Sequence, residues 1–242
     1  MIGRQKIAMV VAEFLGTAIL AIAVYSMVAR TTFPLFGGLA AGVVAGLATI
    51  TFNTISWAHI NPALTLGLWT ARKIKTVPAI FAIAAQMLGG LLAWALLKYF
   101  LGHSLTSMAT GKFAWKVLIA EAVGTFVFVF GVTSAVYHKL EGSLLAFAVG
   151  GSLTIGILVA SMASNGVVNP AVALGIQSWS WAYAVGPLVG GIVGANLYAL
   201  LFAGDFPVVV SSVSSSRTIT TSAKAPAKKR PAAKRTTTRR RR

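Results

Sequence analysis

The order of apolar and polar positions divides this chain into long apolar segments joined by short polar ones. A helix that crosses a bilayer needs about 20 residues. Six apolar segments are long enough, over roughly residues 7–29, 37–57, 77–100, 115–137, 143–163 and 181–203. Two further apolar stretches, 61–70 and 169–179, are too short to span alone. The pattern therefore predicts three spanning helices and one half-helix, given twice.

The two halves also repeat each other in sequence. Two motifs recur at one interval of 108 residues, namely Glu13-x-x-Gly16-Thr17 with Glu121-x-x-Gly124-Thr125, and Asn61-Pro62-Ala63 with Asn169-Pro170-Ala171. Self-similarity at a fixed period indicates an internal duplication. Because three spans are an odd number, the second copy must enter the membrane upside down. We predict an all-α membrane protein with six transmembrane helices and two half-helices in an inverted repeat, with its site near the midplane.

Composition agrees with a membrane protein and excludes several kinds of chemistry. Charged residues make up 10% of the chain and hydrophobic residues 57%, whereas soluble domains contain about 25% charged residues. The first apolar segment is too long for a signal peptide and lacks a cleavage pattern, so it is predicted to be a transmembrane helix. The chain has no cysteine, which excludes disulfides and thiol chemistry.

The positions of the basic residues predict the orientation of the chain. With the N-terminus in the cytoplasm, 17 of the 21 Lys and Arg residues fall on the cytoplasmic side and four on the outside. Eleven of the 17 cytoplasmic ones lie in the last 26 residues of the chain. Basic residues favour the cytoplasmic side. We therefore expect a protein of the plasma membrane with both termini on the cytoplasmic side. We expect one membrane domain over residues 1–205, with repeats at about 7–100 and 115–203, and a disordered basic cytoplasmic tail over residues 206–242.

Each Asn-Pro-Ala motif has the composition of a helix start. Asn is a preferred N-cap, and Pro is favoured at the next position because it has no N–H to leave unpaired. A helix that starts inside the membrane presents its unpaired N–H groups and about half a positive charge at that end. Two such ends, brought face to face, would hold a neutral polar molecule through its oxygen and repel a cation. The motifs thus predict a binding site for small neutral molecules.

These residues resemble the aquaporin (major intrinsic protein) family over about residues 7–203. The resemblance rests on Ala12–Thr17 and Ala120–Thr125 in the first and fourth spans, Ser56–Thr65 around the first half-helix, Ala85-Gln86-x-x-Gly89 in the third span and Gly186-Pro187-x-x-Gly190 in the sixth. It implies six tilted helices around a pore, half-helices that meet at their Asn-Pro-Ala ends, and four pores in a homotetramer. The implied function is passive passage of water or small uncharged solutes across the bilayer.

The chain departs from the family at the outer constriction. Water channels of the family carry Arg directly after the second Asn-Pro-Ala, where this chain has Val172, and the other three constriction positions align with Ala41, Ile157 and Gly166. Arg supplies five hydrogen-bond donors and Val none. Glycerol facilitators keep the Arg and follow it with Asp, where this chain has Ala173. We expect a wide apolar filter suited to glycerol, urea, ammonia or hydrogen peroxide.

Four other residues have two interpretations each. Trp57 stands where the family has Gly, and it either narrows the pore or turns outward as a helix contact or interfacial anchor. His59 either lines the inner pore or bonds to backbone as a neutral ring. Glu13 and Glu121 are ionisable groups inside spans, which suggests function. The resemblance implies that they accept hydrogen bonds from the half-helix loops, and the alternative is a proton-coupled transporter.

The remaining residues carry little chemistry. Four acidic residues, three His and no Cys provide no catalytic constellation and no metal site, so we expect neither enzyme activity nor a cofactor. The tail has no acidic residue after Asp205 and cannot form a core. Near a membrane its expected partner is anionic lipid, which we favour over nucleic acid. A non-conducting scaffold tethered through this tail is the alternative to a channel.

Overall fold

A computed structural model describes residues 3–52, 54–56, 58–109 and 113–202 of the chain. Within these residues eight helices follow one another: α1 (Arg4–Val28), α2 (Pro34–Phe52), α3 (Pro62–Thr70), α4 (Thr76–Leu101), α5 (Trp115–Tyr137), α6 (Gly142–Ala160), α7 (Pro170–Gly175) and α8 (Trp181–Phe202). All except α3 and α7 are long and apolar enough to cross a membrane. The predicted all-α fold with six spans and two half-helices is confirmed.

The two repeats interlock through their half-helices. In the first repeat α1 packs against α2 and α4, and in the second α5 packs against α6 and α8. Each half-helix contacts the last helix of the opposite repeat, α3 against α8 and α7 against α4. Glycine permits this close approach, since a Cβ on Gly191 or Gly90 would overlap the carbonyl oxygen of Ala63 or Ala171. The Asn-Pro-Ala segments are therefore held by backbone-to-backbone packing.

The distribution of side-chain size is that of a protein surrounded by lipid. Much of the buried core is alanine, including Ala21, Ala93 and Ala195. Each spanning helix exposes large apolar side chains, among them Ile19, Val43, Ile80, Ile119, Phe147 and Leu200. Small residues at helix contacts and large ones outside are typical of helix packing in membranes.

The largest differences from the apolar pattern are at the ends of α2 and α7, which both lie before the predicted ends. α2 stops at Phe52 rather than at residue 57, and in the segment after it Ile55 N and Ser56 N both donate to Phe52 O, at 2.8 and 2.7 Å. α7 stops at Gly175 rather than at residue 179. Gln177 takes the left-handed conformation with φ of 59°, and Ser178 N donates back to Ala173 O at 2.8 Å, which closes the helix end. The second half-helix has six residues against nine in α3.

Candidate functional site

The two half-helices begin at the Asn residues of the Asn-Pro-Ala motifs. Asn61 has extended backbone geometry, and its side-chain oxygen accepts a hydrogen bond from Ala63 N at 2.8 Å. The Asn169 side-chain oxygen accepts from Ala171 N at 3.0 Å and from Val172 N at 3.3 Å. Both Asn residues are N-caps followed by Pro, which is the local structure that their sequence favours.

The amide nitrogens of the same side chains join the two repeats. Asn61 Nδ2 donates to Val168 O at 2.9 Å, and Asn169 Nδ2 donates to Ile60 O at 2.9 Å. Each amide nitrogen carries two hydrogens. The hydrogen bonds found among the described residues use one hydrogen of each. The second N–H of each amide is therefore available to an oxygen of a passing molecule, next to the two positive half-helix ends.

The backbone that leads into each half-helix is strained. Ile60 has φ of 43° and Val168 has φ of 46°. The left-handed region is strongly disfavoured for β-branched residues, and each such residue costs about 1–3 kcal/mol. The two residues are 108 positions apart, so both repeats use the same turn. Such a conformation persists only where surrounding contacts hold it.

Glu13 provides those contacts in the first repeat. Its carboxylate is 1% exposed. It accepts hydrogen bonds from His59 N at 3.0 Å, from Ile60 N at 2.7 Å, from Gln86 Nε2 at 2.7 Å and from Ser56 Oγ. Two of these donors are backbone groups of the strained turn. The geometry is that of a buried acceptor anchoring the loop before α3.

Glu121 has the equivalent arrangement in the second repeat, with fewer donors. It accepts from Val167 N at 2.9 Å, from Val168 N at 2.6 Å and from Ser164 Oγ at 2.7 Å. The position equivalent to Gln86 is Pro187, which has no side-chain donor. The loop before α7 thus depends on fewer hydrogen bonds to its carboxylate than the loop before α3.

The two serine donors were missed by the sequence interpretation, although the sequence contains a signal for them. Ser56 and Ser164 are 108 residues apart, the same interval that relates Glu13 to Glu121. Each donates its hydroxyl to the carboxylate of its own repeat. Applying the interval to every polar residue would have identified this pair.

The four predicted filter residues line one cavity on the α7 side of the site. The cavity has a volume of about 410 Å³, and its walls include Ala41, Ile157, Gly166, Val172 and Asn169. Most of the remaining wall is apolar, with Leu20, Val24, Val28, Phe33 and Leu153, and a smaller part is polar, with Thr31, Ser161, Ser164 and Asn165. The structure brings the four positions together. Their role as a filter remains a prediction.

Gly166 contributes no side chain to this cavity because its conformation leaves no room for one. Its φ is 62°, in the region that disfavours side chains. A Cβ built there would lie 2.8 Å from Ile157 O and would overlap Ser161 Oγ. The gap in the wall at this position is therefore a property of the loop geometry.

Of the two inner residues with open interpretations, only His59 can be located. Its side chain is buried, and its Nδ1 lies 3.3 Å from Thr65 Oγ1, within the polar network that includes Gln86 and Glu13. Trp57 lies outside the described residues. Whether Trp57 narrows the pore stays a prediction.

One cavity-lining residue comes from a loop that the sequence interpretation passed over. Met108, between α4 and α5, lines the same cavity as Val172. Its backbone is held on both sides, since Met108 N donates to Gln177 O at 2.8 Å and Asn165 Nδ2 donates to Met108 O at 3.0 Å. Met108 has no counterpart in the repeat and no motif around it.

Comparisons with known proteins agree on one family. The sequence profile of the family described as Major intrinsic protein matches residues 3–198. Aquaporin Z of Photorhabdus laumondii is 32% identical over 222 residues, which cover 79% of this chain and 96% of that protein. Aquaporin TIP1-1 of Zea mays is 35% identical over 61% of this chain and 64% of its own length.

A solved structure agrees with the fold. The X-ray structure of the aquaglyceroporin from Plasmodium falciparum aligns with a TM-score of 0.65 at 19% sequence identity, covering 81% of this chain and 96% of that one. At this identity the likeness concerns the fold alone.

Proposed function

Because this chain belongs to the major intrinsic protein family, we propose that its pore passes between Asn61 and Asn169 and admits solutes larger or less polar than water. The protein is a passive membrane channel for water or small uncharged solutes, as members of this family are, and not an enzyme. The family does not favour a non-conducting scaffold or a proton-coupled transporter.

The proposed path of the pore rests on the side-chain amides of Asn61 and Asn169. Each amide donates one N–H to a backbone carbonyl of the opposite repeat. This hydrogen bond fixes the direction of the second N–H of the same amide. A solute oxygen that passes between them can accept from both amides in turn. The two half-helix N-termini place partial positive charge at the same point, so a cation meets repulsion there. This arrangement supports conduction of neutral hydrogen-bond acceptors and rejection of Na⁺ and K⁺.

The proposed solute preference rests on the outer cavity. Ala41, Ile157, Gly166 and Val172 offer no side-chain donor and no charge, and Val172 occupies the position of the family's arginine. A water-selective pore needs a narrow passage with donors that replace the lost hydration. A wide apolar wall tolerates methylene groups and gains from contact with them. We propose glycerol-sized polyols, urea and ammonia as permeants alongside water.

The carboxylates have a structural role in this proposal. Glu13 and Glu121 accept backbone hydrogen bonds from the strained turns and support the positions of Asn61 and Asn169. Proton transport would need a carboxyl group that exchanges protons with water, whereas both groups are buried and accept hydrogen bonds from protein donors.

The test is a stopped-flow panel with purified protein in liposomes, using water, glycerol, urea and ammonia. We expect glycerol and urea permeability clearly above that of protein-free liposomes, together with water permeability. Water permeability alone would contradict the proposed solute preference. Permeability equal to protein-free liposomes for all four solutes would contradict conduction itself.

We also propose an orientation, a host membrane and an oligomeric state for the channel. The basic residues of the α3–α4 and α5–α6 loops, Arg72, Lys73, Lys75 and Lys139, lie at the membrane side where α1 begins. This supports cytoplasmic termini, and we propose the plasma membrane as the host membrane. We propose a homotetramer with four separate pores, as the family resemblance implies. Crosslinking in native membranes should give a ladder that ends at four copies.

We further propose that the channel domain ends near residue 205 and that residues 206–242 bind anionic lipid. These residues lie outside the described part of the chain, so the proposal rests on their sequence. Eleven Lys and Arg without an acid attract an anionic surface, at about 1 kcal/mol per basic residue near the membrane.

A further inference from the structure

We propose that Asn165 and Asn196 are positioning residues that hold the far ends of the two half-helices, the ends away from the Asn-Pro-Ala motifs. With these ends held, the separation of Asn61 and Asn169 in the pore stays fixed. This inference rests on the proposed pore and adds to it the residues that control its width at the midplane. It is carried by two side-chain hydrogen bonds that follow one arrangement.

A hydroxyl side chain lies at the far end of each half-helix. Thr70 is the last residue of α3, and Ser178 lies three residues after the end of α7. The two are 108 positions apart, the interval that relates the Asn-Pro-Ala motifs. Thr70 Oγ1 accepts a hydrogen bond from Asn196 Nδ2 at 2.7 Å. Ser178 Oγ accepts one from Asn165 Nδ2 at 2.8 Å. Both repeats thus tie the far end of the half-helix to an asparagine amide.

Each of these two amides is anchored by its second hydrogen. Asn196 Nδ2 also donates to Ile192 O at 2.8 Å, on its own helix α8. Asn165 Nδ2 also donates to Met108 O at 3.0 Å, in the α4–α5 loop. The backbone of Asn165 is held as well, because its N–H donates to Tyr183 Oη at 2.9 Å. An amide nitrogen carries two hydrogens, and both are engaged in each side chain. Each tie therefore joins its half-helix to backbone elsewhere in the fold.

The tie at Asn196 adds direction to the packing of α3 against α8. Near the Asn-Pro-Ala motif this packing is made by backbone, with Gly191 against Ala63. Such contact sets the distance between two helices but only weakly sets their position along the axis. A hydrogen bond depends on both distance and angle. Asn196 is half-buried in a spanning helix, where an amide without a partner is costly. The bond to Thr70 offsets this cost and fixes α3 along its axis.

The half-helices are short enough for a shift at the far end to reach the pore. α3 has nine residues and α7 six, so they are about 14 and 9 Å long at about 1.5 Å per residue. Their near ends carry the amides of Asn61 and Asn169. A half-helix that loses its tie gains freedom to withdraw along its axis, which widens the gap between these amides. A solute larger than water gains more from a wider gap than water does.

The test compares glycerol and water permeability of the same proteoliposomes for Asn196→Leu and Thr70→Val, which remove the two partners of one tie while nearly keeping side-chain size. Fewer folded channels would lower both permeabilities equally and leave their ratio unchanged. Loss of the tie should raise the glycerol-to-water ratio about two- to tenfold, the factor by which one hydrogen bond of ordinary strength shifts an equilibrium. The matched control is Thr70→Ser, which keeps the hydroxyl and should keep the wild-type ratio.

Two further variants complete the test. The double variant of Asn196→Leu and Thr70→Val should match the single ones, because all three lose the same hydrogen bond. Ser178→Ala removes the tie of α7 and keeps the proposal testable if Asn196→Leu folds poorly; it should also raise the ratio.

An unchanged or lower ratio in any folded variant that lacks a tie would overturn the proposal. So would a ratio raised equally by Thr70→Ser, or single effects that multiply in the double variant. A wild-type protein that passes neither solute, or water alone, would instead contradict the proposed function.

Discussion

The substitution Glu121→Gln distinguishes between two roles for this residue, a structural hydrogen-bond acceptor and a proton carrier. Glutamine keeps the size of the side chain but replaces one acceptor oxygen with an NH₂ donor. Glu121 accepts from Val167 N, Val168 N and Ser164 Oγ. A glutamine that keeps one backbone hydrogen bond turns its NH₂ toward another donor. At least one buried N–H then loses its partner.

The expected loss of stability follows from these contacts. A hydrogen bond to a charged group contributes about 1.5–3 kcal/mol. The strain at Val168, whose φ is 46°, is present in the wild-type protein as well and does not add to this loss. The lost hydrogen bond alone is a sizeable part of the roughly 5–15 kcal/mol that stabilises a folded domain. We expect Glu121→Gln to unfold at a clearly lower temperature and to lose solute flux.

The assay combines thermal unfolding in detergent with stopped-flow flux in liposomes. Glu141→Gln is the matched control, because Glu141 is an exposed residue at the start of α6 and its loss removes the same charge. It should change neither quantity. A Glu121→Gln protein with wild-type stability and wild-type flux would refute the structural role. A stable variant that loses only proton-dependent uptake would indicate a transporter.

Three further changes address the filter, the loop and the tail. Val172→Arg should reduce glycerol permeability more than water permeability in stopped-flow assays, because it adds bulk, donors and charge to the outer cavity; an equal loss for both would place the constriction elsewhere. Gly166→Ala should lower the unfolding temperature, since its φ is 62° and the new Cβ would lie 2.8 Å from Ile157 O. Gly151→Ala on α6, where a Cβ meets nothing within 4 Å, should not lower it; similar destabilisation by both would contradict the argument from Gly166. Truncation after Phe206 should preserve flux and abolish binding to anionic vesicles in a sedimentation assay, since eleven basic residues are removed; a folded truncated protein without flux would make the tail a gate.

Much of this fold was predictable because the hydrophobic pattern and the repeat act over long stretches of the chain. The six spans follow from segment length, and the half-helices follow from Asn61 and Asn169, whose capping chemistry is local. The same interval that joins these residues also joins Glu13 to Glu121. A repeat therefore locates paired residues without any knowledge of tertiary contacts.

The features that escaped prediction depend on contacts between distant segments. Met108 lines the outer cavity, where hydrogen bonds to Gln177 and Asn165 hold its backbone, and nothing around it in sequence indicates this. The early end of α7 depends on the left-handed conformation of Gln177, which is not a glycine. Apolar residues continue to position 176 in the sequence, so hydrophobicity alone could not mark the helix end.

The central claim is that this protein is a passive channel for uncharged solutes. Its most direct test is the equilibrium uptake of glycerol or urea, whichever permeates faster, into proteoliposomes with and without an imposed pH gradient, because neither solute ionises near neutral pH. A passive channel speeds the approach to equilibrium but leaves equal concentrations inside and outside, whatever the gradient. We predict a final ratio of one under both conditions, reached faster than in protein-free liposomes. Accumulation above that ratio under a pH gradient, or uptake no faster than in protein-free liposomes, would contradict the claim.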